Sequence, residues 1–229
     1  MIRKQKKLRF RFDILRKIRN FAKSFRSNQH IKHTKIMPRT AIYTRAQITK
    51  KTLHLIKERG PAAFTARDVG AALGTSSRPI FTAFENMEDL RNEVARMGMK
   101  IYNNFMKTDS DKPLTYTEYS LRLIRFCQKE PNFATFALEN VGNQVPTLID
   151  PISEEVIARL KKVCGLSDEQ FSILFKHTWS MVLGIAAQCS IAKVEYSDDE
   201  IREMFKRQFL GILHTFNHPD PDSVIAQVI

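Results

Sequence analysis

An all-α fold is what this chain of 229 residues predicts, as an N-terminal three-helix helix-turn-helix head followed by a C-terminal helical body. Three observations carry that prediction. Phenylalanine is abundant at 16 and glycine scarce at 8, no run of strand length alternates apolar with polar residues, and the segment Phe64–Leu90 reads as two short helices pivoting on Gly74 before a third opens. The expected parts are a basic extension over residues 1–36, the head over residues 37–107 and the body over residues 108–229.

Charge follows the same division. Residues 1–36 hold 13 Lys/Arg against one acid, residues 37–107 hold 12 against 6, and residues 108–229 hold 12 against 17, within a formal net charge of +13. A basic front and an acidic rear suit a nucleic-acid head on a body that avoids it. No run of 18 uncharged apolar residues exists, so no stable membrane insertion is expected. Cys127, Cys164 and Cys189 are odd in number and far apart, which fits buried thiols in a reducing cytoplasm.

The first 36 residues allow three readings. Ile14, Ile18, Phe21 and Phe25 fall at helical spacing among Arg16, Lys17, Arg19 and Lys23, which suits a DNA-binding arm or a membrane-surface helix. The third reading is an over-extended start, because Met37-Pro38-Arg39-Thr40 would serve as a native beginning; an intact-mass measurement on the natural gene product containing residue 1 would refute it.

In the head, Thr44 can cap a helix with Ile48, Thr52, Leu55 and Ile56 on one face, ended by Gly60-Pro61. Thr65 caps a second helix, whose Val69, Ala72 and Leu73 line up with Phe64. Gly74 supplies the turn, and Ser76 or Ser77 can cap a third helix that tolerates Pro79 in its first turn. Ile80 and Phe84 then face inward, one turn apart, leaving Ser77, Arg78 and Thr82 outward. Asn86 with Asp89 opens a long fourth helix through Lys107. Beyond Asp109–Pro113, helices are expected near 115–129, 131–141, 151–163, 168–193 and 198–216, with a loop from Gly142 to Pro151. The tail from Asn217, carrying Pro219 and Pro221, is expected to be extended.

Five fragments in order give the head an identity: Glu58-Arg59-Gly60, Phe64-Thr65-Ala66-Arg67-Asp68-Val69, Ala72-Leu73-Gly74-Thr75-Ser76, Ile80-Phe81 with Phe84, and Asn86-Met87-Glu88-Asp89-Leu90. On these residues Thr44–Lys107 resembles the N-terminal domain of the tetracycline-repressor (TetR) family of bacterial transcription regulators. The resemblance implies a homodimer on a near-palindromic operator in double-stranded DNA, loosened by a small molecule in the C-terminal domain. The implied DNA-binding residues are Arg45, Thr65, Arg67, Thr75, Ser76, Ser77, Arg78, Pro79, Phe81 and Thr82. Arg78 is the first choice for a base, since a guanidinium pairs bidentately with guanine. Thr65 and Arg67 are expected on phosphate, with Arg45 and Lys50 adding backbone contacts from the first helix. Phe81 stands where a tyrosine is usual and Met87 where a lysine is usual, each removing a plausible phosphate contact. The alternative for Phe81 is a plain core position.

The body matches the family only in being helical and of suitable length. Trp179, Gly184, Ala186 and Ala187 on one long helix, with Ile201, Met204, Phe205, Gln208, Ile212 and Phe216 on the last, are expected to pair across a two-fold axis; the alternative is that both bury only against their own chain. Tyr102, Phe105, Tyr119, Phe126, Phe133, Phe136, Phe175 and Trp179, with His177 as a polar member, are the candidate pocket walls for an apolar or aromatic effector, although aromatic stripes at helical spacing are more often plain core.

Enzyme classes find little support. There is no Gly-rich phosphate loop, no Gly-x-Ser-x-Gly elbow and no His-Glu-x-x-His pair. His214 and His218 are four apart but lack a third ligand, so no metal and no cofactor is expected. The rival function is non-specific nucleic-acid or membrane-surface binding through residues 1–36 alone, which predicts binding without sequence preference that vanishes when they are deleted.

Overall fold

Helix-opening side chains cap seven of the helices in the computed structural model, which describes residues 43–107, 114–139 and 154–229. Ten α-helices, one 3-10 turn and no strand occur among the described residues. The helix-like stretch within residues 1–36, the lead from Met37, the Asp109–Pro113 boundary and the loop read at Gly142–Pro151 lie outside them.

α1 (Arg45–Arg59) starts at a capping box: Thr44 Oγ1 accepts from the Gln47 amide at 3.2 Å while Gln47 Oε1 accepts from the Thr44 amide at 2.8 Å. Its inner face buries Ile48, Leu55 and Ile56 with Thr49 and Thr52, whose hydroxyls donate to the carbonyls four residues back, so no polar group is stranded. Gly60, at φ 82°, breaks the helix into a 3-10 turn, Pro61–Ala63. α2 (Ala66–Ala72) is capped by Thr65, α3 (Arg78–Ala83) follows a turn at Gly74, and α4 (Met87–Met106) is capped by Asn86, whose Oδ1 accepts from the Asp89 amide at 2.8 Å.

In the body, α5 (Tyr116–Lys129), α8 (Asp168–Ile191) and α9 (Asp198–Thr215) each open on a capping box, Thr115 with Glu118, Ser167 with Gln170 and Ser197 with Glu200. α6 (Pro131–Glu139), α7 (Glu154–Cys164) and α10 (Pro221–Val228) complete the set. The last is a correction, because the tail was expected to be extended. Pro221 sits in the first turn, where an amide hydrogen is not needed, and Asp220 Oδ1 accepts from the Ser223 amide at 3.1 Å; proline thus opens this helix instead of ending one.

α5 packs along α8, and α6 lies against both α8 and α1, joining body to head. Asn132 of α6 donates to the Lys57 carbonyl at 2.9 Å, satisfying an end of α1 that has no helical partner, and Lys57 pairs with Glu130 at 2.7 Å. Arg91 of α4 lies over the rings of Phe64, at 4.5 Å, and Phe136, at 5.2 Å. All three cysteines are free and buried, and burial pushes the Cys127 and Cys164 thiols up to about 12. His218 straps the turn before α10 to the end of α7: Nδ1 accepts from the Asp220 amide at 3.2 Å and Nε2 lies 2.9 Å from the Cys164 carbonyl.

Candidate nucleic-acid interface

The outer surface of α3 is built by the turn before it. Gly74, at φ 70°, lets the Thr75 amide donate to the Gly70 carbonyl at 3.0 Å and the Gly74 amide to the Ala71 carbonyl at 2.9 Å, the Schellman closure of α2. Chain and helix then meet closely. A Cβ placed on Gly70 would lie 2.8 Å from the Ser76 carbonyl carbon and 2.9 Å from the Ser77 nitrogen, so only glycine lets α2 and the entry to α3 approach this far. Tyr43 donates to the Leu73 carbonyl, tying the lead of α1 to the same turn.

α3 buries Ile80 and Phe84 and exposes Arg78, Phe81 and Thr82, with Ser77 and Pro79 half-buried. Phe81 is 52% exposed and is not a core residue; it projects beside Arg78 and Thr82 on the outer face. The Thr82 hydroxyl donates to the Arg78 carbonyl at 3.1 Å. Ser77 occupies the cap position of α3 without a side-chain bond, and Ser76 Oγ lies 3.4 Å from the Arg78 amide, so the serine cap is weak.

Thr65 and Arg67 are exposed at the start of α2, Thr75 is half-buried and Ser76 exposed in the turn, and Lys50 is exposed on α1. Thr65 is partly committed, accepting from the Asp68 amide at 3.0 Å and donating to Asp68 Oδ2 at 2.6 Å. Arg45 is committed further. It pairs with both carboxylate oxygens of Asp89 at 3.0 Å and lies over the Phe84 ring at 4.1 Å. That guanidinium holds the Asp89 carboxyl below its ordinary value, chiefly through the hydrogen bonds, and Asp89 raises Arg45 in return. Sequence reading saw Asp89 only as a helix-opening acid. Its partner lies 44 residues away, and no local spacing signals such a pair.

The candidate effector residues fall into two groups. Tyr102, Phe105, Phe126, Phe133 and Phe136 form a continuous ring cluster with centroids 5.0–6.3 Å apart, and the Tyr119 hydroxyl lies 3.5 Å from that of Tyr102. Phe175 and Trp179 instead stack with Phe171 along α8, the first pair 9° from parallel, and Tyr116 joins Phe175 to Phe205 and Phe209. His177 is exposed on α8 and belongs to neither. On α9, Ile201 and Phe205 turn into the chain's own core with Phe209 and Leu213, a four-residue stripe, while Met204, Gln208, Ile212 and Phe216 remain half-buried.

Among the described residues no helix is long and apolar enough to cross a membrane, and no group of three His, Cys, Asp or Glu is placed to hold a metal. No curated protein matches the chain. A solved structure from Streptomyces coelicolor A3(2), provisionally described as a transcriptional regulator, is similar at 17% identity and a TM-score of 0.45, over 82% of this chain and 99% of that one. Residues 48–94 match the family model for bacterial regulatory proteins of the tetR family, a stretch that runs from the buried face of α1 through α2 and α3 into α4. Over those residues the chain is therefore similar to the bacterial regulatory proteins of the tetR family.

Proposed function

We propose that the protein is a homodimeric, sequence-specific transcription regulator, a repressor released from a near-palindromic operator by a small apolar or aromatic effector. The observation that carries this reading is the outer face of α3, where Arg78, Phe81 and Thr82 are exposed while Ile80 and Phe84 anchor the helix. A helix so presented lays its side chains on base edges in the major groove. Arg78 is assigned to a base, and Thr65, Arg67 and Lys50 to phosphates.

Dimerisation is assigned to α8 and α9. α8 carries an exposed polar stripe of Ser172, Lys176, Ser180 and Gln188 beside apolar positions that its own chain leaves open. Ile191 is 63% exposed and Ile173 41%, and Gly184 of α8 and Gly211 of α9 face open space, where another helix could approach closely. Sedimentation showing a monomer at micromolar concentration, free and on DNA, would remove the dimer.

The effector is assigned to the group of Tyr102, Phe105, Tyr119 and Phe126, which lines α4 beside α5. Because α4 begins at the elbow after α3 and ends in this group, a small pivot of it would change the spacing of two recognition helices. Half-sites require that spacing to be about 34–36 Å or a multiple. The effector must bind the DNA-incompetent state more tightly, or it shifts nothing.

The test is selection of bound sites from a random DNA pool at two salt concentrations, with the full chain and with a version lacking residues 1–36. Enrichment of one two-fold-symmetric motif by both is expected. Equal recovery of all sequences, lost on removing residues 1–36, would favour the rival reading through the basic extension. On the selected site, Arg78→Ala should reduce discrimination at one base pair of each half-site by about 1–3 kcal/mol while leaving affinity for scrambled DNA within a few-fold, measured by competition binding.

A further inference from the structure

We propose that Arg45 and Asp89 are positioning residues for the recognition helix, acting through the elbow between α3 and α4 and not through contact with DNA. The inference rests on the reading of the head as a sequence-specific DNA binder.

Three neighbours make four contacts with one guanidinium. Arg45 Nη1 donates to the carbonyl of Ala83, the last residue of α3, at 2.7 Å, and to Asp89 Oδ2 at 3.0 Å; Nη2 donates to Asp89 Oδ1 at 3.0 Å. Its face covers the ring of Phe84, the residue that ends α3, at 4.1 Å from the centroid. Asp89 Oδ2 also accepts from the Glu85 amide at 3.1 Å, so the carboxylate holds the elbow while the arginine holds the carboxylate. A side chain from α1 thereby joins the end of α3, the elbow and the first turn of α4.

The recognition helix needs such an anchor. It spans six residues, too few to persist on its own backbone bonds, and its cap position lacks a side-chain bond. Its direction is therefore set by what holds its two ends. Ile80 and the Gly70 approach secure the front, and Arg45 secures the back. The chemistry also calls for arginine: a planar fork serves a carboxylate with two parallel bonds and stacks on an aromatic face, whereas a lysine ammonium supplies neither geometry.

A phosphate contact by Arg45 predicts a different pattern, and Asp89 separates the two. If Arg45 neutralises a phosphate, Asp89 competes with DNA for it, and removing the acid should strengthen binding to every sequence. If Arg45 positions α3, removing either partner should cost discrimination in the same direction.

The experiment measures binding of the full chain to its selected site and to a scrambled duplex across a salt series, for Arg45→Ala, Arg45→Lys, Asp89→Asn and the double variant Arg45→Ala with Asp89→Asn. The selected-to-scrambled ratio is expected to fall about tenfold in each single variant, lysine included, and no further in the double, because one shared interaction is lost. The slope of log affinity against log salt on scrambled DNA should stay at the wild-type value. Four results would overturn the proposal. One is a slope shallower by about one in Arg45→Ala with the ratio intact, the signature of a lost phosphate contact. Another is tighter binding by Asp89→Asn on both duplexes. A third is equal weakening on both duplexes, which marks only a smaller folded fraction. The last is a wild-type chain with no preferred site, which removes the regulator reading and this inference together.

Discussion

Gly70→Ala is expected to erase most of the protein's preference for its operator, lowering the selected-to-scrambled binding ratio by about a hundredfold or more out of the 10³ or greater typical of specific DNA binders. The methyl group would sit 2.8 Å from the Ser76 carbonyl carbon and 2.9 Å from the Ser77 nitrogen, and these are backbone atoms that cannot rotate away. The segment entering α3 must move and carry Arg78 and Thr82 with it, which on the proposed reading takes them off the base edges, while the phosphate attraction of the head persists because no charge is removed. Overpacking of this kind also costs about 1–3 kcal/mol of stability. Gly74→Asn is the matched control. Its site is left-handed at φ 70° with nothing within 4 Å of an added Cβ, and asparagine tolerates that conformation, so the ratio should stay near wild type. A Gly70→Ala protein with wild-type discrimination would show that α3 is not placed by this contact.

Phe126→Ala should be the most destabilising single truncation in the body, by about 3–5 kcal/mol, which for a chain of this size lowers the melting temperature by about 2–4 °C per kcal/mol. Phe126 is 1% exposed and its ring meets those of Tyr102 at 5.0 Å, Phe105 at 5.5 Å and Phe133 at 6.1 Å, so removal opens a void that three elements border. The surroundings have little freedom to collapse into it. Phe133 is already pressed against α4, where a Cβ on Gly98 would lie 2.1 Å from its ring. Thermal melts of wild type and variant decide the point. A loss below about 1 kcal/mol would mean that this cluster is loosely packed and collapses readily around the missing ring.

The head was legible in the sequence because its determinants are local. Thr44, Thr65 and Asn86 each cap the helix expected of them, Gly60 and Gly74 take positive φ where a stop and a turn were read, and Ile80 and Phe84 face inward one turn apart. Each of these depends on residues within four positions, the range over which capping and helical periodicity operate. Most body helices were found for the same reason, with ends displaced by only a few residues. The tail helix was missed because proline was read as a terminator, although with Asp220 before it Pro221 starts a helix.

The sites were less legible where they depend on pairs distant in sequence. Aromatic residues at helical spacing could be recognised as buried, but not that Phe175 and Trp179 would stack along α8, apart from the cluster around Phe126. Arg45 illustrates the same limit. Its charge and place near the start of α1 suggested phosphate, and nothing within a turn of it hints at Asp89 or the Ala83 carbonyl.

Sequence alone determined the all-helical class, the order of the helices in the head and the outward placement of Arg78 and Thr82, because these follow from steric and hydrogen-bonding preferences of neighbouring residues. Tertiary structure alone decided what holds α3 in place, which aromatic rings share a cluster and which apolar residues of α9 the chain keeps for its own core. Those outcomes arise from the close packing of helices, where a contact depends on the shapes of two surfaces brought together across dozens of residues.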